Sequence, residues 1–184
     1  TSVLSSYASY IDTNAGFCGD RSTLNNQSGV GTGTTSTYMK GYLRVSTSTP
    51  SLSCENFSDL YTVASSNKGN KALTYPVGLV TTDEVVLSGS SGGVFDGIFN
   101  YQKPSPNNYL TAGNSYWTMT PAGYYNPFGA AYWGAHLFLI YPTGHLDDAN
   151  ANNAYALRPV INVRSDVTVS GEGTMQNTYK FSLT

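Results

Sequence analysis

Residues 135–155, AHLFLIYPTGHLDDANANNAY, constrain this chain more than any other stretch. Two runs flank Pro142-Thr143-Gly144, whose residue types set the dihedrals of a tight turn, so the segment reads as two strands folding back on each other. The flanks are NSYWTMTP, ending at Pro121, and ALRPVINV, ending at Val163. The first run, Leu137 to Tyr141, is apolar at every position, so period-two alternation does not say which face is buried. If Phe138 and Ile140 face the core, Leu137, Leu139 and Tyr141 face outward. Pro159 lacks an amide donor and belongs at a sheet edge or bulge.

With 184 residues the chain can hold one domain with a real core, and 40% hydrophobic content suffices for it to fold. Charged residues are only 11%, against about 25% in ordinary soluble domains. The net charge of −2 with no basic cluster argues against nucleic acid or an anionic membrane surface as partner. The polar residues are instead Ser, Thr, Asn and Gly, beside 15 Tyr. Antibody paratopes use that mixture, because Tyr gives large contact area at low entropy cost. Secreted β-rich proteins share it, and composition does not separate the two.

Cys18 and Cys54 are the only cysteines. In an exported chain they read as one disulfide and in a cytosolic chain as two buried thiols; the Lys-poor, Ser/Thr/Asn-rich composition favours the disulfide. Closing a loop of roughly 36 residues would stabilise by about 3–4 kcal/mol in the chain-entropy description. No apolar run approaches the ~18 residues that span a bilayer. The chain opens at Thr1 without a leader, which reads as a mature or trimmed fragment.

In the N-terminal third, Val3, Leu4, Tyr7, Tyr10 and Ile11 recur at helical intervals up to the stop signal Asn14–Gly16. Phe17 to Ser22 reads as a tight loop in which Asp20 and Arg21 could pair. Tyr38, Met39, Tyr42 and Leu43 fit a short amphipathic helix, and Leu60–Val63 alternates as a strand. Thr81-Thr82-Asp83-Glu84 is a capping box, with Val80 and Val85 spaced as a hydrophobic staple. Residues 89–108 form a Gly-, Ser- and Pro-rich loop insertion.

TYPVGLVTTDEVVLSG, YWTMTP, A-x-x-F-x-I-x-x-x-G-x-L and LRPVINV-x-SDV, in this order, resemble the C-type-lectin-like fold. The nearest flavour is a group of bacterial surface proteins with FC-x-DR, LTYPVGL-x-T-x-DEV, YWT-x-(S/T)P and VRPVINLKSDV motifs. The same frame is similar to variable proteins of diversity-generating retroelements and to the formylglycine-generating enzyme superfamily. The resemblance implies an α+β domain over residues 1–184, with two helices flanking a mixed, mainly antiparallel sheet. Residues 1–63 would be the helical, disulfide-tied part and 72–173 the lectin-like core. Trp117 would lie in the core beneath the binding face, and Arg158 would bond backbone carbonyls or Asp166.

For retroelement variable proteins the resemblance implies a fixed frame carrying positions scattered by adenine mutagenesis. Tyr124, Tyr125, Tyr132, His136, Leu137, Leu139, Tyr141, His145, Asp147, Asp148, Asn150 and Asn153 form such a mixture, with Trp133 and Tyr155 among them. An ordinary Asn- and Tyr-rich lectin-like loop has the same appearance. The expectation is a non-enzymatic, extracellular or cell-surface receptor or adhesin whose face on residues 124–155 meets a protein, with carbohydrate a further candidate. A structural module of a pilus-like assembly is the alternative. No cofactor is expected. The lectin calcium triplet (Glu-Pro-Asn or Gln-Pro-Asp) is absent, and Asp147, Asp148 and Asn150 read as a solvated turn rather than a calcium site. His136 and His145 across the turn lack a third ligand for zinc. No cysteine follows Cys54, which removes the formylglycine-generating chemistry, and no G-x-S-x-G, H-E-x-x-H or P-loop occurs.

Overall fold

The computed structural model describes residues 2–24, 35–63, 69–88, 110–111, 113–126, 133–172 and 176–183. Among these, short elements run in the order α1 (Ser2–Ser6), β1 (Phe17–Cys18), β2 (Thr37–Tyr38), α2 (Lys40–Thr47), β3 (Leu60–Tyr61), β4 (Gly78–Leu79) and α3 (Thr82–Leu87). Then follow β5 (Tyr116–Tyr125), β6 (Gly134–Ile140), β7 (Leu146–Asn150), β8 (Pro159–Val160), β9 (Val167–Ser170) and β10 (Lys180–Leu183). The architecture is α+β.

The central sheet has the order β2-β5-β6-β7, antiparallel throughout, and the expected hairpin is its β6–β7 half. Gly144 makes the turn with φ 84°, a left-handed conformation that glycine adopts without strain, and the Tyr141 amide donates to the His145 carbonyl at 3.0 Å. Three two-stranded ribbons surround the sheet: β1–β3, β4–β8 and β9–β10. Pro159 pairs with Leu79 in one of these ribbons, where one missing amide interrupts no central ladder. A parallel bridge, Tyr116 to Ala156, is the one mixed feature among the described residues.

Helices α2 and α3 contribute Val45 and Val85 to one buried cluster with Val80, Tyr116, Ala122, Tyr125, Phe138, Ile140 and Leu146, so both cover the same sheet face. The capping box at α3 forms as expected. Thr81 Oγ1 accepts from the Glu84 amide at 3.2 Å, and Glu84 Oε2 accepts from the Thr81 amide at 2.7 Å. Val80 and Val85, the staple pair, are both buried.

The N-terminal helix is shorter than its periodicity suggested: α1 gives way to a 3-10 turn, Ala8–Tyr10, and the chain leaves helix before Asn14. Asp12 Oδ1 collects the Asn14 and Ala15 amides at 2.8 and 3.2 Å and holds the exit turn. Tyr38 is in a strand rather than a helix, because Thr37 and Tyr38 pair with Tyr124 and Gly123, and α2 starts only at Lys40.

Cys18 and Cys54 are joined in a disulfide. Asp20 and Arg21 do not pair with each other. Arg21 bonds Asp59 at 2.7 Å, and Asp20 receives Arg44 Nη1 at 2.6 Å. Arg44 also forks onto Asp83 at 2.7 and 2.9 Å, tying α2 to α3. Burial works against the Arg44 charge, yet the bonds from Asp83 and Asp20 prevail and raise its pKa.

Candidate ligand-binding face

The alternation that the apolar run concealed becomes readable once the register is fixed. Tyr116, Ile140 and Leu146 share one cross-strand row and lie in the core cluster; Phe138 and Asp148 make the next inward row, His136 and Asn150 the one after. On the other side of the sheet the rows are Trp117–Leu139–Asp147, then Pro121–Leu137–Ala149, then Tyr124–Ala135. The candidate residues are therefore divided between two faces and cannot form one surface.

The inward members form a network, in which the buried His136 Nε2 has no hydrogen-bond partner among the described residues. The Asp148 carboxylate has 3% exposure and accepts from the Tyr125 hydroxyl. His136, 6% exposed, places Nδ1 2.8 Å from the same carboxylate oxygen. The His136 ring stacks on Tyr125 at 4.3 Å, Tyr125 on Tyr38 at 5.0 Å, and Tyr38 meets Tyr42 at 4.8 Å. A four-ring column thus runs from β6 to α2. Burial first, and Asp148 second, push the Tyr125 hydroxyl far above the usual tyrosine range, so it stays a donor. Burial pushes Tyr42 up to about 12. Tyr125, His136 and Asp148, expected on the ligand face, belong instead to the interior, since each fills an inward position and bonds another.

Leu139 also offers no surface to a ligand, for a different reason. It does point away from the main core, yet its exposure is 0%. It lies in register between Trp117 and Asp147, and Trp117 is braced edge-on by Tyr155 at 4.9 Å and 83°. Trp117, expected in the core beneath the binding face, is half-buried on this outward face.

Asn150 is held inward against Gly134: a Cβ at Gly134 would lie 1.9 Å from Asn150 Nδ2. At the hairpin tip Tyr141 and His145 stack at 4.5 Å, and Thr143 Oγ1 lies 2.5 Å from His145 Nδ1. Burial lowers the His145 pKa. His136 pairs with Asn150 and His145 lies five residues before Asn150, so the two histidines stand at opposite ends of the hairpin, on the order of 17 Å apart at ~3.4 Å per residue, and do not share a metal. Asp147 and Asp148 are in β7 and not in a solvated turn. Among the described residues no group of three His, Cys, Asp or Glu is placed to hold a metal ion.

The outward set comprises Tyr124, Trp133, Leu137, Asp147 and Tyr155, all half-buried, with exposed Asn153 beyond β7. Trp133, expected to be exposed, stacks on Tyr124 at 5.7 Å and 20°. Tyr132 and the 89–108 insertion lie outside the described residues. Burial raises Asp147 to about 6. Comparison with known proteins found no matching family model, no matching curated relative and no matching solved structure.

The role of Arg158 is a backbone contact: its Nη1 donates to the Leu110 carbonyl at 2.7 Å, while its guanidinium lies 5.6 Å over the Tyr116 ring. Asp166 pairs with Arg164 instead. Sequence reasoning missed Tyr38 and Tyr42 as supports of the site. Their spacing of four marked them as a helical face, and cross-strand stacking has no local signal.

Proposed function

We propose that this chain is a non-enzymatic, extracellular ligand-binding module of C-type-lectin-like type, with a protein as ligand. The observation that carries this reading is the outward face of β5 and β6, where stacked Tyr124 and Trp133 adjoin Leu137 and Ala135 on a hydrogen-bonded frame. Rigid aromatic anchors on a sheet supply contact area at little entropic cost. The Cys18–Cys54 bridge suits an oxidising compartment.

The test is an array of extracellular proteins probed with the wild type and with Tyr124→Ala and Trp133→Ala. Capture weakened tenfold or more by either substitution supports the reading; capture unchanged in both sinks it. For retroelement diversification, the coding DNA should hold a near-copy of codons 114–163 beside a reverse transcriptase. Its differences should fall at template adenines and spare Tyr125, Leu139 and Asp148, whose side chains are enclosed. Absence of a copy removes that part of the proposal.

A separate observation favours the structural-module reading. The β9–β10 ribbon leaves Val169 and Leu183 52% and 48% exposed, with Tyr179 beside them. Two-stranded ribbons are marginal without a covering partner. Self-association in sedimentation that disappears on Val169→Asp would support this reading, and a concentration-independent monomer would reject it.

A further inference from the structure

The outward row Trp117–Leu139–Asp147 places a carboxylate at the end of an apolar line of side chains. Four other carboxylates withdrawn from solvent each have a side-chain partner: Asp20 and Asp83 hold Arg44, Asp59 holds Arg21, and Asp148 holds His136 and Tyr125. The Asp147 carboxylate, by contrast, accepts the neighbouring Asp148 amide at 2.8 Å and makes no ion pair among the described residues. His136 is on the opposite side of the sheet with Nδ1 turned to Asp148. A charge taken from water without a counter-ion is costly, and a ligand cation that docks there recovers that cost.

Edge strands carry charges for another purpose, to repel a further strand, and β7 is an edge. Such a guard works from solvent, fully hydrated. Asp147 is half-buried beside Leu139, which has no exposed surface. A half-buried carboxylate does not fit the role of a hydrated guard.

We propose that Asp147 anchors a cationic side chain, arginine or lysine, of the protein that occupies the outward face. The assignment rests on that face being the binding face. Leu137 and Ala149, the adjacent outward row, offer apolar contact to the methylene stem that carries the cation.

The probe is N-acetyl-arginine amide, with the neutral isostere N-acetyl-citrulline amide as control, titrated into carboxyl-labelled protein and followed by NMR. The expected result is a shift of the Asp147 carboxyl carbon and a fall of its pKa with the arginine compound, and no shift with citrulline. The Trp117 indole signal in Asp147→Asn should lose its response to arginine, while the rest of its spectrum stays that of the folded chain. An equal response to citrulline, or an arginine response at exposed Asp166 as large as that at Asp147, overturns the proposal. If the arginine compound finds no site while Trp133→Ala still abolishes capture on the array, the cation assignment alone fails. If capture ignores Tyr124→Ala and Trp133→Ala, it is the face itself that fails.

Discussion

The two faces of the β6–β7 hairpin carry the same residue types and put them to opposite uses. Asp148 and Asp147 are neighbours in sequence, and both are drawn away from water. The inner one is bonded by Tyr125 and His136 and closes a ring column that reaches α2. The outer one accepts one backbone amide and makes no ion pair among the described residues, and it lies in register with Leu139. On the inner face the carboxylate is bonded by the chain's own side chains; on the outer face it meets none among the described residues. A carboxylate is therefore structural or available according to its parity in the strand, not its identity.

The largest expected effect breaks the inner side. Asp148→Ala strands the Tyr125 hydroxyl and His136 Nδ1 in the interior and should cost about 3–4 kcal/mol, read as a lower urea midpoint at unchanged m-value. If the loss is under about 1 kcal/mol, the inner network is not what holds the hairpin to the core. Next comes a pair of substitutions on the outer side. Leu139→Ala should cost about 3 kcal/mol, like other fully buried leucines, whereas Leu137→Ala should cost about 1 kcal/mol or less. Equal costs would mean that the outward face is uniformly open or uniformly covered.

A further effect has the opposite sign. Burial raises Asp147 to about 6, above its unfolded value, so the folded chain holds that proton more tightly than the unfolded chain does. Stability from this group is therefore present below pH ~4 and lost as pH rises towards ~6. Asp147→Asn should equal wild type at pH 4 and exceed it by about 1–2 kcal/mol at pH 7, after allowance for partial solvation. A variant less stable than wild type at pH 7 would show that the charge is compensated after all.

Local signals are legible in the sequence. The α3 capping box, the 142–144 turn and the hairpin each depend on residues within a few positions, and the cysteine pair had one possible partner each. Three features escaped for a common reason. The apolar run around Leu139 has no alternation to anchor its register. The His136–Asp148 contact depends on which residues the hairpin sets diagonally across from each other. Asp20 and Arg21 looked like a pair because they are adjacent, yet their partners Arg44 and Asp59 are far along the chain. Of the candidate site, the segment was legible and the division into faces was not, because the division is fixed by pairing with β5.

The Cys18–Cys54 bridge also has a mechanical meaning. A tensile load passing along the backbone from one end to the other bypasses the 36-residue span between the sulfurs, which includes β2 and α2. At roughly 3.4 Å per extended residue, about 120 Å of contour is withheld from extension. Should the sheet be peeled apart under shear, α2 and the disulfide-tied strands would stay within a short tether, close to where β5 must re-pair.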